Sequence, residues 1–170
     1  MTRKFILHWG EMGTRWGINR TVSQVHALLY LSPNPLHAEE IASTLAVARS
    51  NVSNSLRELQ GWGIVRVVHV MGDRRDHFES MKDVWEMFQV VVDGRKRREI
   101  DPTLSALREC VADLRNPRAG EAHTKRKLEE MLEFFEAMTA CYDEIRGLPA
   151  GTLRQFVKLR GKLRKILGLL

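Results

Sequence analysis

Residues 36–60, LHAEEIASTLAVARSNVSNSLRELQ, constrain this chain more than any other stretch. Two apolar periods follow one another within it. Ile41 and Leu45 lie four apart on one helical face, and Glu39 and Glu40 occupy a first turn, where the helix dipole favours negative charge. Val52, Leu56 and Leu59, at i, i+4 and i+7, form a second stripe. The spacing predicts helices over 37–46 and 49–60 joined by a tight turn. At about 100° per residue, Ser50, Asn54 and Arg57 point away from the second stripe, with Asn51 and Ser53 on its flanks and Arg49 at the helix start. Such a row of hydroxyl, amide and guanidinium groups matches base edges and phosphates in a major groove. A merely solvated face would more often carry Glu, Lys and Gln, which form helices better than Ser and Asn.

The flanks extend this pair of helices into a larger unit. Phe5, Ile6, Leu7, Trp9, Met12 and Trp16 give residues 2–17 a broad apolar helical face, interrupted by Gly10, Gly13 and Gly17. A helix with so many glycines needs a closely packed neighbour, and a partner subunit is one expectation. Val22, Val25 and Leu29 predict a helix over 19–31 with Asn19 as N-cap, and Pro33 and Pro35 then break the chain. Gly61 and Gly63 close the second helix of the pair. The β-branched run Ile64 to Val70, the polar turn Met71 to Asp76 and the return through His77, Phe78 and Glu79 predict a hairpin. Two helices followed by such a hairpin make a winged helix, and Arg74 and Arg75 at its tip suit phosphates or the minor groove.

The remainder reads as helical. Ser80, with Asp83 three residues on, is the expected N-cap of a helix bearing Val84, Trp85, Phe88 and Val91 and ending near Gly94. The basic run Arg95 to Arg98 follows as a solvated face or helix end. Asp101 and Pro102 are expected to open a new helix reaching about Leu114. Asn116, Pro117 and Gly120 mark a linker. Leu128, Leu132, Phe135, Met138, Tyr142 and Ile145 then recur along an amphipathic helix that ends at Gly147. A last helix from about Thr152 carries Leu153, Phe156, Leu163 and Ile166 opposite Arg154, Lys158, Arg164 and Lys165. It can lie on a membrane surface, but the preceding stripe offers it an antiparallel partner and a dimer interface. The fold class is mainly α with a small β-hairpin wing, divided into a winged helix-turn-helix domain with its N-terminal helix over 1–80 and a helical linker and dimerisation region over 81–170.

Order and residues together resemble the winged-helix domain of MarR-type transcriptional regulators, most closely their GbsR-like branch. The resemblance covers roughly residues 16–100 and rests on the run LAVARSNVSNSLRELQGWGIV, the wing GDRRDHF, and the Trp85 helix followed by RREIDP. It implies a homodimeric regulator of nearby genes, usually a repressor, reading a pseudo-palindromic operator in double-stranded DNA. Ser50, Asn51, Ser53, Asn54 and Arg57 would face the major groove, and Arg74 and Arg75 would serve the wing. The chain departs from the family at Ala48 and His37, where Ser or Thr often caps a helix, and each change is expected to weaken capping by about 1 kcal/mol. The branch resemblance also implies an effector of the quaternary ammonium type, such as choline or glycine betaine, held on aromatic faces. Trp9, Trp16, Phe78, Trp85 and Phe88 are the cage candidates, against the plainer reading that they are core.

Charge and motif content narrow the alternatives. A net charge of +6 with 28% charged residues attracts polyanions, an argument that gains force only beside a groove-fitting element. Cys110 and Cys141 form no CxxC and are expected to be reduced small core residues, although a thiol-based redox sensor is a competing reading. No HExxH, GxSxG or P-loop is present, so no enzyme, metal or cofactor is expected. The N-terminal apolar run is too short for a signal peptide and no stretch approaches a membrane span, which predicts a cytoplasmic protein. A winged helix that docks protein instead of DNA would need an apolar outward face where this one is polar and basic.

Overall fold

The computed structural model describes residues 2–115, 118, 120–148, 151, 152 and 155. They fall into two compact units, Met1–Val90 and Val91–Leu170, with the boundary inside a helix.

The first unit opens with α1 (Thr2–Arg15) and α2 (Arg20–Leu31), which pack on each other. The glycines of α1 are the reason they can. Gly10 and Gly13 are buried, and a Cβ on Gly13 would stand 2.6 Å from Ser23 Cβ of α2, so the neighbour that these glycines require is α2 of the same chain. Asn19 Oδ1 accepts from the Thr21 amide at 2.8 Å and caps α2. At the other end, Lys82 Nζ donates to the carbonyls of Leu29 at 2.9 Å and Ser32 at 2.7 Å, placing a cation on the negative end of α2.

Then come β1 (Leu36–His37), α3 (Ala38–Leu45) and α4 (Arg49–Gly61). The turn between α3 and α4 is made by Ala46 in the left-handed region, at φ 54°, with Val47 N–H returning to Ala42 O at 3.1 Å. Alanine bears a Cβ penalty there that glycine would not. Val52, Leu56 and Leu59 of α4 are buried, as are Ile41 of α3 and Val25 and Leu29 of α2, and this is the core. Gly63, at φ 78°, closes α4 as Ile64 N–H reaches back to Leu59 O at 3.2 Å. Strands β2 (Val65–Val68) and β3 (His77–Ser80) form the hairpin. The sheet has three antiparallel strands in the order β1-β3-β2, with Leu36 opposite Phe78 and Val68 opposite His77. The expected hairpin is thus present, and β1 is an addition that periodicity over two residues could not reveal.

Three sequence expectations are corrected beyond the wing. Ser80 is the last residue of β3, and Asp83 caps α5 (Val84–Arg95) by accepting at Oδ1 from the Trp85 amide at 2.8 Å. Nor does the helix end near Gly94. It passes through a π-helical turn (Lys96–Ile100) into α6 (Asp101–Asp113), and Ile100 itself has helical dihedrals, so Asp101 opens no separate helix. The basic run Arg95 to Arg98 therefore lies within a helical stretch.

In the second unit α6 packs on α7 (Ala122–Arg146), burying Leu104 and Leu107 and joining Arg108 to Glu136 at 2.9 Å. Tyr142 Oη donates to Asp93, which also receives Arg146 Nε at 3.0 Å. Met131, Phe134 and Ile145 stay exposed on α7. Gly147 ends α7, as its sequence position suggested. The basic, apolar helix expected from about Thr152 lies outside the described residues, apart from Thr152 and Gln155.

Gly13→Ala is predicted to destabilise the fold by on the order of 1–2 kcal/mol, because the overpacking cost at the α1–α2 crossing exceeds the gain in helix propensity. Thermal or urea unfolding checks this, and an unchanged or raised midpoint would contradict the close crossing.

Candidate nucleic-acid interface

The outward face of α4 is built by its buried one. With Val52, Leu56 and Leu59 turned into the core, Ser50, Asn51, Asn54 and Arg57 are exposed, as the helical period predicts. Ser53 is half-buried and committed to its own helix. Its Oγ donates to Arg49 O at 3.1 Å and receives Arg49 Nη1. Arg49 in turn donates from Nε to Glu39 Oε1 at 2.8 Å. Ala48 offers α4 no side-chain cap, as expected from its methyl group.

His37 behaves otherwise than its sequence position suggested. It is the N-cap of α3 in a capping-box arrangement, with its N–H donating to Glu40 Oε2 at 3.0 Å and the Glu40 amide 3.4 Å from Nδ1. The helix start is held by the N3 glutamate, which receives the His37 N–H, a bond that the expected loss of capping did not include.

The wing places its two arginines differently. Arg74 is exposed at the tip, beside Gly72 with φ 85°. Arg75 bends back: its Nε donates to Asp73 Oδ1 at 2.9 Å, its Nη2 to Asp73 Oδ2 at 2.5 Å, and its Nη1 lies 2.9 Å from His37 Nε2. The Arg75 amide also donates to Asp73 Oδ1 at 3.0 Å, closing a small turn. The Arg75 hydrogen bonds, first among the causes, hold the Asp73 carboxyl well below the usual carboxylate range. A cleft of about 320 Å³ runs between Arg49, Ser53, Arg57 and Gln60 of α4 and Arg75 and Asp76 of the wing. Sequence reasoning missed Glu39, Asp73 and His77 as members of this site. Their only local signal is the spacing of Asp73 two residues before Arg75, which suits an Asx turn.

The five aromatic residues considered for a cation cage do not gather at one point. Trp9 and Trp16 meet edge to face with centroids 5.7 Å apart, and Phe5 stacks on Trp9 at 5.5 Å. Phe78 is buried within the sheet, Trp85 is half-buried and Phe88 is 62% exposed. His26 adjoins the Trp9 cluster, with ring centroids 6.5 Å apart, and its Nε2 stands 3.1 Å from Met87 Sδ; burial lowers its pKa to about 4. Cys110 and Cys141 are both exposed, which corrects the expectation that they fill the core. They sit on outward positions of α6 and α7, where a small residue meets solvent as readily as an interior. Among the described residues no group of three His, Cys, Asp or Glu side chains could hold a metal ion, and no helix is long and apolar enough to cross a membrane.

The chain is similar to known proteins. Residues 16–76 match the model of the MarR family. The chain is similar to the HTH-type transcriptional repressor GbsR of Bacillus subtilis (strain 168), with 23% identity over 154 residues that cover 86% of this chain and 85% of the relative. A crystal structure of a transcriptional regulator, 21% identical, aligns with a TM-score of 0.65 over 86% of this chain and 95% of its own, and shows the same fold.

The Glu39 carboxyl is held down to about 2 from its ordinary value of 4.5, first by the Arg49 hydrogen bond. A depressed carboxyl contributes stability above its unfolded pKa, and that contribution disappears as the pH falls from about 4.5 towards 2. Glu39→Gln is therefore predicted to be less stable than wild type at pH 7, with the difference closing through that acid window and shrinking in high salt. Unfolding curves at stepped pH test it; a difference independent of pH would rule out the ion pair as its source.

Proposed function

We propose that this chain is a MarR-type winged-helix protein and a sequence-specific regulator of transcription that binds double-stranded DNA as a homodimer, repressing genes near a pseudo-palindromic operator. The observation that carries the reading is the exposed row Ser50, Asn51, Asn54 and Arg57 on a helix whose opposite face is buried, within the segment that matches the family. Short polar side chains on a rigid helix can read base edges in the major groove, while a wing arginine contributes charge without sequence information. Arg74 is the wing residue turned to solvent, and Arg49, Ser53 and Arg75 support the surface while keeping part of their own surface exposed. The role is one of binding, with no catalytic step, and it is exercised in the cytoplasm, where DNA and reduced thiols coexist.

Dimerisation is assigned to the second unit. Met131, Phe134, Met138 and Ile145 leave apolar surface on α7 that a second copy would cover. In such a dimer the two α4 helices enter successive major grooves about one helical turn apart. The effector is proposed to be a methylated cation such as choline or glycine betaine, for which Trp9 and Trp16 supply adjoining π faces.

Fluorescence anisotropy with a duplex from the chain's own upstream region, over a salt series, tests the DNA reading. Affinity should fall steeply with salt and exceed that for a shuffled duplex. Asn54→Ala should lose about 1–3 kcal/mol on the preferred duplex and relax its selectivity, whereas Arg74→Ala should weaken all duplexes alike and reduce the salt slope by about one. The reverse pattern would exchange the two roles, and salt-independent binding without preference would sink the proposal. For the effector, choline should raise the melting temperature of wild type and fail to do so in Trp9→Ala. Silence in wild type across choline and betaine would remove the cage.

A further inference from the structure

One side chain, that of His37, touches both the helix-turn-helix and the wing. His37 ends β1, lies opposite His77 of β3 and caps α3. The residue is 8% exposed, and its ring stands edge-on to that of His77, with centroids 5.5 Å apart. Arg75 Nη1 is 2.9 Å from Nε2. A guanidinium has donors only, so Nε2 is the acceptor and the proton of the neutral ring sits on Nδ1. That nitrogen finds the acceptor it then needs, Glu39 Oε2, at 3.0 Å. The tautomer also decides the cap: the His37 N–H to Glu40 Oε2 bond at 3.0 Å is the half of the box that operates, because Nδ1 has no lone pair left for the Glu40 amide.

From this ring a chain of bonds runs in both directions. Towards the wing, Arg75 forks onto Asp73, whose Oδ2 is also 3.6 Å from His77 Nε2, while His77 Nδ1 donates to Arg75 O at 3.0 Å. Towards the recognition helix, Glu39 takes Arg49 Nε at 2.8 Å, and Arg49 holds Ser53. We infer that His37 is a positioning residue for DNA binding, one that ties the wing to the helix-turn-helix so that base reading by α4 and phosphate contact by the wing occur in one fixed relation. The inference rests on the DNA-binding reading above. A threonine at this position would cap α3 as well, but its hydroxyl ends well short of Arg75. The imidazole reaches Arg75 through Nε2 while the His37 backbone N–H keeps its bond to Glu40.

Three variants separate positioning from folding. His37→Thr should melt at or above the wild-type temperature, because its hydroxyl can accept from the Glu40 amide while the backbone N–H keeps its bond to Glu40. Its wing amides over 71–76 should nonetheless exchange hydrogen faster, and its affinity for the upstream duplex should fall about three- to tenfold. His37→Gln, whose amide oxygen can accept from Arg75, should restore both. Arg75→Ala and the double variant His37→Thr/Arg75→Ala should bind alike, since the second substitution removes a bond already lost. Wild-type exchange in the wing together with wild-type affinity in His37→Thr would overturn the inference alone, as would losses that multiply in the double variant. Wild-type protein with no preference for its duplex would overturn the DNA reading and this inference with it.

Discussion

Burial of one side of α4 is the condition on which the reading surface depends. Val52, Leu56 and Leu59 are at most 2% exposed, and the α2 and α3 residues Val25, Leu29 and Ile41 are buried with them. Each such side chain contributes about 1.5–3 kcal/mol relative to remaining in water. Isolated, a helix of 13 residues with serine and asparagine at so many positions would be marginal. Tertiary packing releases its outward positions from the need to favour helix, and those are the positions at which short polar groups serve recognition. The Ala46 turn fits the same view, since its left-handed backbone is held by the packing of α3 and α4 on either side.

The polar bonds around His37 do a different job. Pairs such as Arg49 with Glu39 and Arg75 with Asp73 are half-exposed, and pairs of that kind add little to stability. Their value is geometric. Each guanidinium is directed at more than one partner, and each partner is itself held, so neither arginine can swing freely between rotamers. Arg57 and Arg74 are exposed on this face outside that set of bonds, which matches a division between groups that hold the surface and groups that meet a polyanion.

The second unit follows another logic. Its helices bury little of their own apolar surface: Leu104 and Leu107 are its buried hydrophobic residues among those described, while α7 leaves Met131, Phe134 and Ile145 in solvent. Lys96, set in the π-helical turn, binds Asp101 at 2.9 Å and lies 3.8 Å from Asp143 of α7, so the irregular turn is pinned by charge. A unit so sparing in core suits the proposed role of association with a second copy.

Much of this was legible from residues alone. The stripes of α2, α4 and α7, the Asn19 cap, the hairpin and the glycine stops at Gly63 and Gly147 all depend on neighbours within a turn or two, and helical period and turn chemistry are local properties. The places where reading failed are those decided at a distance. The two-residue β1 exists only through its pairing with β3, Gly94 lies inside a helical stretch that continues as a π turn, and the Cys110 and Cys141 thiols face solvent because helix packing left them there. His37 is the clearest case: as a letter in the sequence it looked like a poor cap, and its meaning comes from Arg75, 38 residues away. By itself the sequence determined which face each regular element buries, because apolar periodicity is a local quantity. Only the tertiary structure decided which polar groups join the wing to the helices, because directional bonds need donors and acceptors brought together by the sheet and core.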